Sequence, residues 1–368
     1  MAKGIYIGVE NKARKSKKGY IGDENNKACK LKKGYIGVGN VARPYYSAEQ
    51  ALEYYGAITP LSVARNKLAA ASTNNHALFG GGIGSNIVDA YNTSLIKSTP
   101  TSLSAIKSYL AATSINNHVL FGGGGSDLDY HIVDAYNSSL TRITPTALSK
   151  GRYSLAATST NNYALFGGGT SGSDSNVVDA YNSLLTKSTP TALSVARCYL
   201  AAAAVNNYAL FGGGNADGYS DIVDAYSSSL VRITPTGLSM KIWLLAATSI
   251  SNYALFGGGY VSSGATDLVN AYNSSLTRST PTTLSIAGYY LAATSIKNYA
   301  LFGGGAGSGD GYHNIIDVYN TSITRSTPNV LSMARASLAA ASINNYALFG
   351  GGERLSKNTD VMDAYIIA

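Results

Sequence analysis

NNYALFGGG, residues 161–169, is an apolar run that ends in three glycines. A glycine run after a strand can cradle a phosphate, but that use needs a helix behind it, so that amides and dipole converge on the anion. Here VVDAYN (Val177–Asn182) follows, with the alternation of a strand. The stretch also recurs: NNHALFGGG from Asn74, NNHVLFGGG from Asn116, and related copies near residues 206, 252, 298 and 344. All seven phenylalanines of the chain, Phe79, Phe121, Phe166, Phe211, Phe256, Phe302 and Phe349, stand directly before a GGG, at an average spacing of 45 residues. That period is the length of a four-stranded propeller blade. Seven phosphate sites at a fixed period make no chemical sense. The glycines are therefore read as backbone devices, for close packing and positive φ where a strand ends.

Each repeat reads as four short strands. A small apolar strand (Leu155 to Ser159) meets an Asn-Asn turn, YALFGGG follows, then VDAYN. LTRSTPT is the fourth, ended by a proline that cannot donate into a central ladder. The last residues, VMDAYIIA, make a third strand, while EYYGAITPLSVAR (Glu53–Arg65) holds a fourth strand and its connector ahead of the first repeat. An N-terminal strand is thus expected to complete the last blade and remove the open edges. The predicted fold class is all-β: a seven-bladed β-propeller over residues 46–368, preceded by a small β-hairpin module over residues 1–45.

Composition agrees with strands and turns: 40 Gly, 28 Tyr and 13% charged residues, with 45% hydrophobic residues to support a core. The net charge of +8 is confined to residues 1–43, which hold 11 Lys/Arg against Glu10, Asp23 and Glu24. The remainder is balanced, which argues against a nucleic-acid groove across the propeller. No run approaches the length of a membrane helix, and MAKGIYIGVENK has no apolar h-region, so neither a membrane span nor a secretory signal is expected. Cys29 and Cys198 are too few for a disulfide framework and point to synthesis in a reducing compartment.

ALFGGG, then the tyrosine of VDAYN, then the arginine of SVAR, resembles the kelch repeat. The arginine is Arg65, Arg152, Arg197 and Arg335, with Lys107, Ile242 and Gly288 in the other three copies; the kelch fourth-strand Trp is replaced by LTRSTPT. The N-terminal module holds three short copies, GIYIGVENKARK, KGYIGDENNKACK and KGYIGVGNVARP, each reading as a small hairpin. These resemble hairpin repeats of minor structural and tail proteins of phages of Gram-positive bacteria. The resemblance implies an anchoring module joined to a recognition domain, in a virion tail or baseplate protein made in the bacterial cytoplasm.

Length variation locates the working face. From Phe to the third-strand Tyr the distance is 12 residues in the first copy and 15–17 in the others, whereas from that Tyr to the next connector proline it is constant at 9. The loops between second and third strands therefore vary, and they emerge beside the blade-to-blade connectors. Function concentrates on loops held by a rigid scaffold. Two residues before each first-strand leucine vary as well, and five of the seven copies place an aromatic there: Tyr109, Tyr153, Tyr199, Trp243, and the pair Tyr289 and Tyr290. First strands line a propeller's channel, so these rings are expected at its mouth. The loops add Asp127, Asp129, Tyr130 and His131, then Asp217 and Tyr219, then Tyr260, then Asp310, Tyr312 and His313. Flat rings beside Asp and His suit a sugar's C–H face and hydroxyls. Packing between blades is the alternative.

The expected function is that of a virion-associated adhesin, binding a host surface glycan or wall polymer, with residues 1–45 docked on other tail proteins or on further copies of the chain. The rivals are a kelch-type protein scaffold, a structural virion component and a glycan-cleaving enzyme. No nucleophile–base pair stands out from the repeat background, so no catalytic residues, cofactor or metal are assigned. The recurrent aspartate (Asp89, Asp134, Asp179, Asp224, Asp317, Asp363) is too regular for one active site and is read as structural.

Overall fold

The computed structural model describes residues 52–125, 131–309 and 311–367, together with the backbone of six strands nearer the N-terminus. The chain divides into two compact units, Met1–Ala51 with Ala368, and Leu52–Ile367. In the first, Ile5–Val9 pairs with Lys12–Ser16, Tyr20–Gly22 with Ala28–Lys30, and Lys33–Val38 with Val41–Ser47, giving three antiparallel hairpins.

The second unit is a seven-bladed β-propeller. Blade one comprises Ala69–Ser72, His76–Gly80, Val88–Asn92 and Lys97–Ser98, joined antiparallel in that order from the channel outward. Five blades repeat it. Blade seven takes Ala339–Ile343, Tyr346–Gly350 and Met362–Ile367 from the C-terminal end and Leu52–Ile58 from the other end of the unit. That closing strand has seven residues, where the outer strand of each other blade has two. Among the described residues no helix is long and apolar enough to cross a membrane.

The glycines of the GGG motif divide the labour. The first meets the neighbouring blade: a methyl at Gly122 would lie 2.6 Å from Phe166 Cε1 of the next blade. Gly80 faces Phe121 in the same way, and Gly350 faces Phe79 across the closure. Each of these phenylalanines also sets its ring edge-on to its own blade's tyrosine, as Phe79 does to Tyr91 at 6.0 Å. The hydrophobic core accordingly lies between blades, with Leu210 and Ala225 of blade four packed with Phe256 and Tyr272 of blade five.

The third strand pins the incoming connector. Tyr91, Tyr136, Tyr181, Tyr226, Tyr272, Tyr319 and Tyr365 each donate a phenol O–H to a connector carbonyl at 2.7–2.8 Å. Two residues earlier on the same strand face, Asp89 accepts the backbone N–H of Ser62, and each other blade does likewise, with Asn270 standing in for aspartate in blade five. The buried carboxylate is neutralised by the buried connector cation: Arg65–Asp89 at 2.8 Å, and Lys107–Asp134, Arg152–Asp179, Arg197–Asp224 and Arg335–Asp363 at 2.9–3.0 Å. The recurrent aspartate is thus structural.

The two blades that lack the cation are balanced differently. Ile242 in blade five goes with neutral Asn270. In blade six Gly288 supplies no side chain, burial raises the pKa of Asp317, and Arg325 approaches it at 3.4 Å from the outer strand. Removing one partner of a buried pair costs about 3–5 kcal/mol, more than replacing both. Arg152→Ile is therefore expected to lower stability in denaturant unfolding by about that amount. Arg152→Ile/Asp179→Asn, which copies blade five, should recover most of the loss; a double variant no more stable than the single one would refute this account.

Candidate functional site

The connector that enters each blade ends in two residues with opposite duties. The second of them, Lys67, Tyr109, Ser154, Tyr199, Leu244, Tyr290 or Ser337, has φ between +52° and +55°. Left-handed backbone costs a non-glycine residue about 1–3 kcal/mol, and the seven residues meet that cost together. The N–H of Tyr109 donates to the carbonyl of Lys67, Ser154 to Tyr109, Tyr199 to Ser154, and so on until Lys67 donates to Ser337. A closed ring of seven backbone hydrogen bonds, 2.9–3.2 Å long, encircles the channel mouth.

The side chains of this ring line a depression of about 190 Å³ floored by leucines such as Leu155 and Leu200. Large and small residues alternate: Tyr109, Tyr199 and Tyr290 come from blades two, four and six, with Ser154, Leu244 and Ser337 between and after them. Seven large side chains would crowd one axis. Tyr109 and Tyr199 meet edge-on at 6.1 Å although a blade separates them. Burial raises the phenol pKa of Tyr199 and Tyr290, so both remain neutral hydroxyl donors.

The first residue of each pair roots the variable loop of its own blade. Tyr153 bridges to Thr170, Cys198 to Asn215, Trp243 to Tyr260, Tyr289 to Ala306 and Ala336 to Glu353. In blades one and two, the N–H of Ile83 and Gly125 donates to Asn66 and Ser108. The aromatics expected as one ring at the mouth thus form two: Tyr109, Tyr199 and Tyr290 line it, while Tyr153, Trp243 and Tyr289 stand one step out. Together with Tyr219 and Tyr260 from the loops they are continuous. Tyr153 meets Tyr109, Tyr199 meets Trp243 at 5.5 Å, Trp243 meets Tyr260, and Tyr260 leads through Tyr289 to Tyr290. Tyr219 stacks on Trp243 at 5.5 Å and 14°, so one indole face is already covered. The packing role and the exposed edge therefore coexist in the same rings.

Opposite this arc the mouth is polar. Asn66 Nδ2 donates to Glu353 Oε2 at 2.5 Å and Ser337 Oγ to Glu353 Oε1 at 3.2 Å. Lys67 holds its ammonium over the Tyr109 ring, 4.7 Å from the centroid. Asn66, Lys67 and Glu353 were not among the expected site residues. A charged residue at a position otherwise held by Tyr, Ser or Leu was the available signal.

The remaining loop residues disperse. Asp217 and Tyr219 line a hollow of about 480 Å³ with Met240 and Lys241, and Tyr312 lines another of about 350 Å³ with Tyr289 and Leu355. His131 is exposed on blade two, where its carbonyl accepts the N–H of Leu148. His313 lies at the base of its loop, its N–H bonded to Gly305 O. Its ring packs beside Gly288, where a methyl would lie 3.3 Å from Cδ2, and burial lowers its pKa. Asp127, Asp129, Tyr130 and Asp310 fall outside the described residues. Among the described residues no group of three His, Cys, Asp or Glu is placed to hold a metal ion.

No family model matches this chain, and no curated protein matches its sequence. Its fold is similar to the solved structure reported as "Structure of YjhT", with a TM-score of 0.57 and 13% identity over 83% of this chain and 95% of that one. At that identity the likeness concerns the fold alone.

Cys198 is 4% exposed, and burial together with Asp174 pushes its thiol up to about 12. The thiolate is the reactive form, so at pH 8 the protein carrying Cys29→Ser is expected to take up no maleimide until unfolded. Prompt labelling of the native chain would contradict the packing described.

Proposed function

We propose that the propeller is a non-catalytic binding head whose variable-loop face recognises a host surface glycan or wall polymer. Residues 1–45 would hold it on a virion tail or baseplate. The observation that carries this reading is the unbroken series of eight aromatic rings, Tyr153 to Tyr290 with Tyr219 and Tyr260, bordered by Lys67, Asn66 and Glu353. Half-buried rings present apolar edges and faces to sugar C–H groups, and phenol hydroxyls take sugar hydroxyls at little conformational cost. Three hollows on one face, at the mouth, beside Tyr219 and beside Tyr312, suit an extended polymer better than a single sugar.

Two sets of carboxylates have structural partners. The recurrent aspartates are buried beneath connectors, and Glu353 is committed to Asn66 and Ser337. The anchoring role rests on the likeness of GIYIGVENKARK and its two sister copies to tail-protein hairpins, and the kelch-like repeat pattern is compatible with a binding head. Modest affinity per head is compensated when many copies act on one particle.

Labelled full-length chain is expected to bind Gram-positive cells or their purified wall polysaccharides saturably. Tyr109→Ala/Tyr290→Ala should weaken binding at least tenfold, about 1.4 kcal/mol, and Tyr219→Ala should weaken it less. No saturable binding across a broad panel, even with the chain clustered on beads, would overturn the glycan reading, and capture of a peptide on the same face would replace it with a protein scaffold.

A further inference from the structure

Of the described lysine and arginine side chains that are not exposed, every one but Lys67 has a carboxylate within 4.0 Å or a hydrogen-bonded carbonyl. Arg65, Lys107, Arg152, Arg197 and Arg335 are paired inside the blades, and the outer-strand bases reach an aspartate or, as Arg278 does with Gly237, a carbonyl. Lys67 has a tyrosine face beneath its ammonium and no ion pair or hydrogen bond from its side chain to any described residue. A half-buried cation left with a π-face alone retains unused capacity for an anion.

Its surroundings are one-sided. Besides leucines, the described residues lining the mouth are Lys67, Tyr109, Ser154, Tyr199, Tyr290 and Ser337: one cation and five hydroxyls, with no carboxylate among them. Glu353, which reaches Ser337 of the ring, lies outside that lining and already accepts from Asn66 and Ser337. The mouth is also small, about 190 Å³, below the roughly 300–1,000 Å³ of sites that enclose a whole drug-sized ligand. Access favours the same corner, because Lys67 enters blade one, whose variable loop is the shortest, 12 residues from Phe79 to Tyr91.

We infer that the channel mouth is a subsite for a single oxyanion, a phosphate or a carboxylate carried by the ligand, held by the Lys67 ammonium and the phenol hydroxyls around it. This rests on the binding-head reading and narrows its ligand to an acidic polymer. A phosphodiester wall polymer and a uronic-acid polysaccharide offer the same chemistry from two sources.

The test uses the full-length chain, with its only tryptophan as reporter: Trp243 touches Tyr199, which lines the mouth. Inorganic phosphate and glucuronate are titrated by fluorescence and by calorimetry, with glucose as the neutral control, and the two acidic polymers follow. Saturable anion binding is expected, at least tenfold weaker in Lys67→Gln, restored in Lys67→Arg, and changed less than twofold in Lys150→Gln, an exposed lysine of the connector into blade three that lines none of the three hollows. Absent anion binding, or binding equal in Lys67→Gln, overturns the subsite. Neutral glycans that still bind in that case would leave the binding-head reading standing. Anion binding without any polymer or cell binding would keep the subsite and sink that reading. Whichever polymer competes with phosphate identifies the source.

Discussion

A phenylalanine ring laid on the bare Cα of a glycine in the preceding blade is the contact on which this molecule depends. Seven wedge-shaped sheets close a circle only if neighbours approach to backbone distance, and the first glycine of each GGG permits it. A methyl at Gly122 would stand 2.6 Å from Phe166, so the ring or the blade that carries it would have to shift. The tyrosine that braces each ring and the aspartate beside it then tie down the connector, so one strand carries both the packing and the polar lock.

This constraint explains what could be read directly from the residues. Demands repeated seven times leave the same letters seven times, so the Phe-Gly-Gly-Gly period, the tyrosine and aspartate of VDAYN and the closing strand before the first repeat all announce themselves. The exceptions are harder, because compensation is spatial. Ile242 and Gly288 look like losses of an arginine; only the fold shows Asn270 opposite the first and His313 filling the space beside the second. The two residues before each first-strand leucine look equivalent in sequence. A left-handed φ at the second of them, held by a ring of bonds that includes Tyr, Ser, Leu and Lys alike, leaves no residue preference to detect.

The same ring frees the mouth for chemistry. Its N–H groups and carbonyls satisfy each other around the circle, so side chains can differ at every position without opening a backbone group to the channel. The chemical character of the mouth is then set by which seven residues are displayed and which loops are rooted beside them. In this chain the display is three tyrosines, two serines, a leucine and one lysine, with an aromatic arc on one side and Glu353 with Asn66 on the other.

The closing strand has a mechanical consequence. Leu52 is both the end of the strand that completes blade seven and the residue that joins this unit to Met1–Ala51. Tension drawn through residue 51 falls first on the Leu52–Ile367 and Glu53–Ile366 pairs and only afterwards on the rest of the seven-residue ladder. The clasp of the circle and the junction with Met1–Ala51 are therefore one segment. Its unusual length among the outer strands is what spreads the load, and Tyr54, hydrogen-bonded to Asp363 at 2.6 Å, adds a side-chain latch just behind the leading pairs.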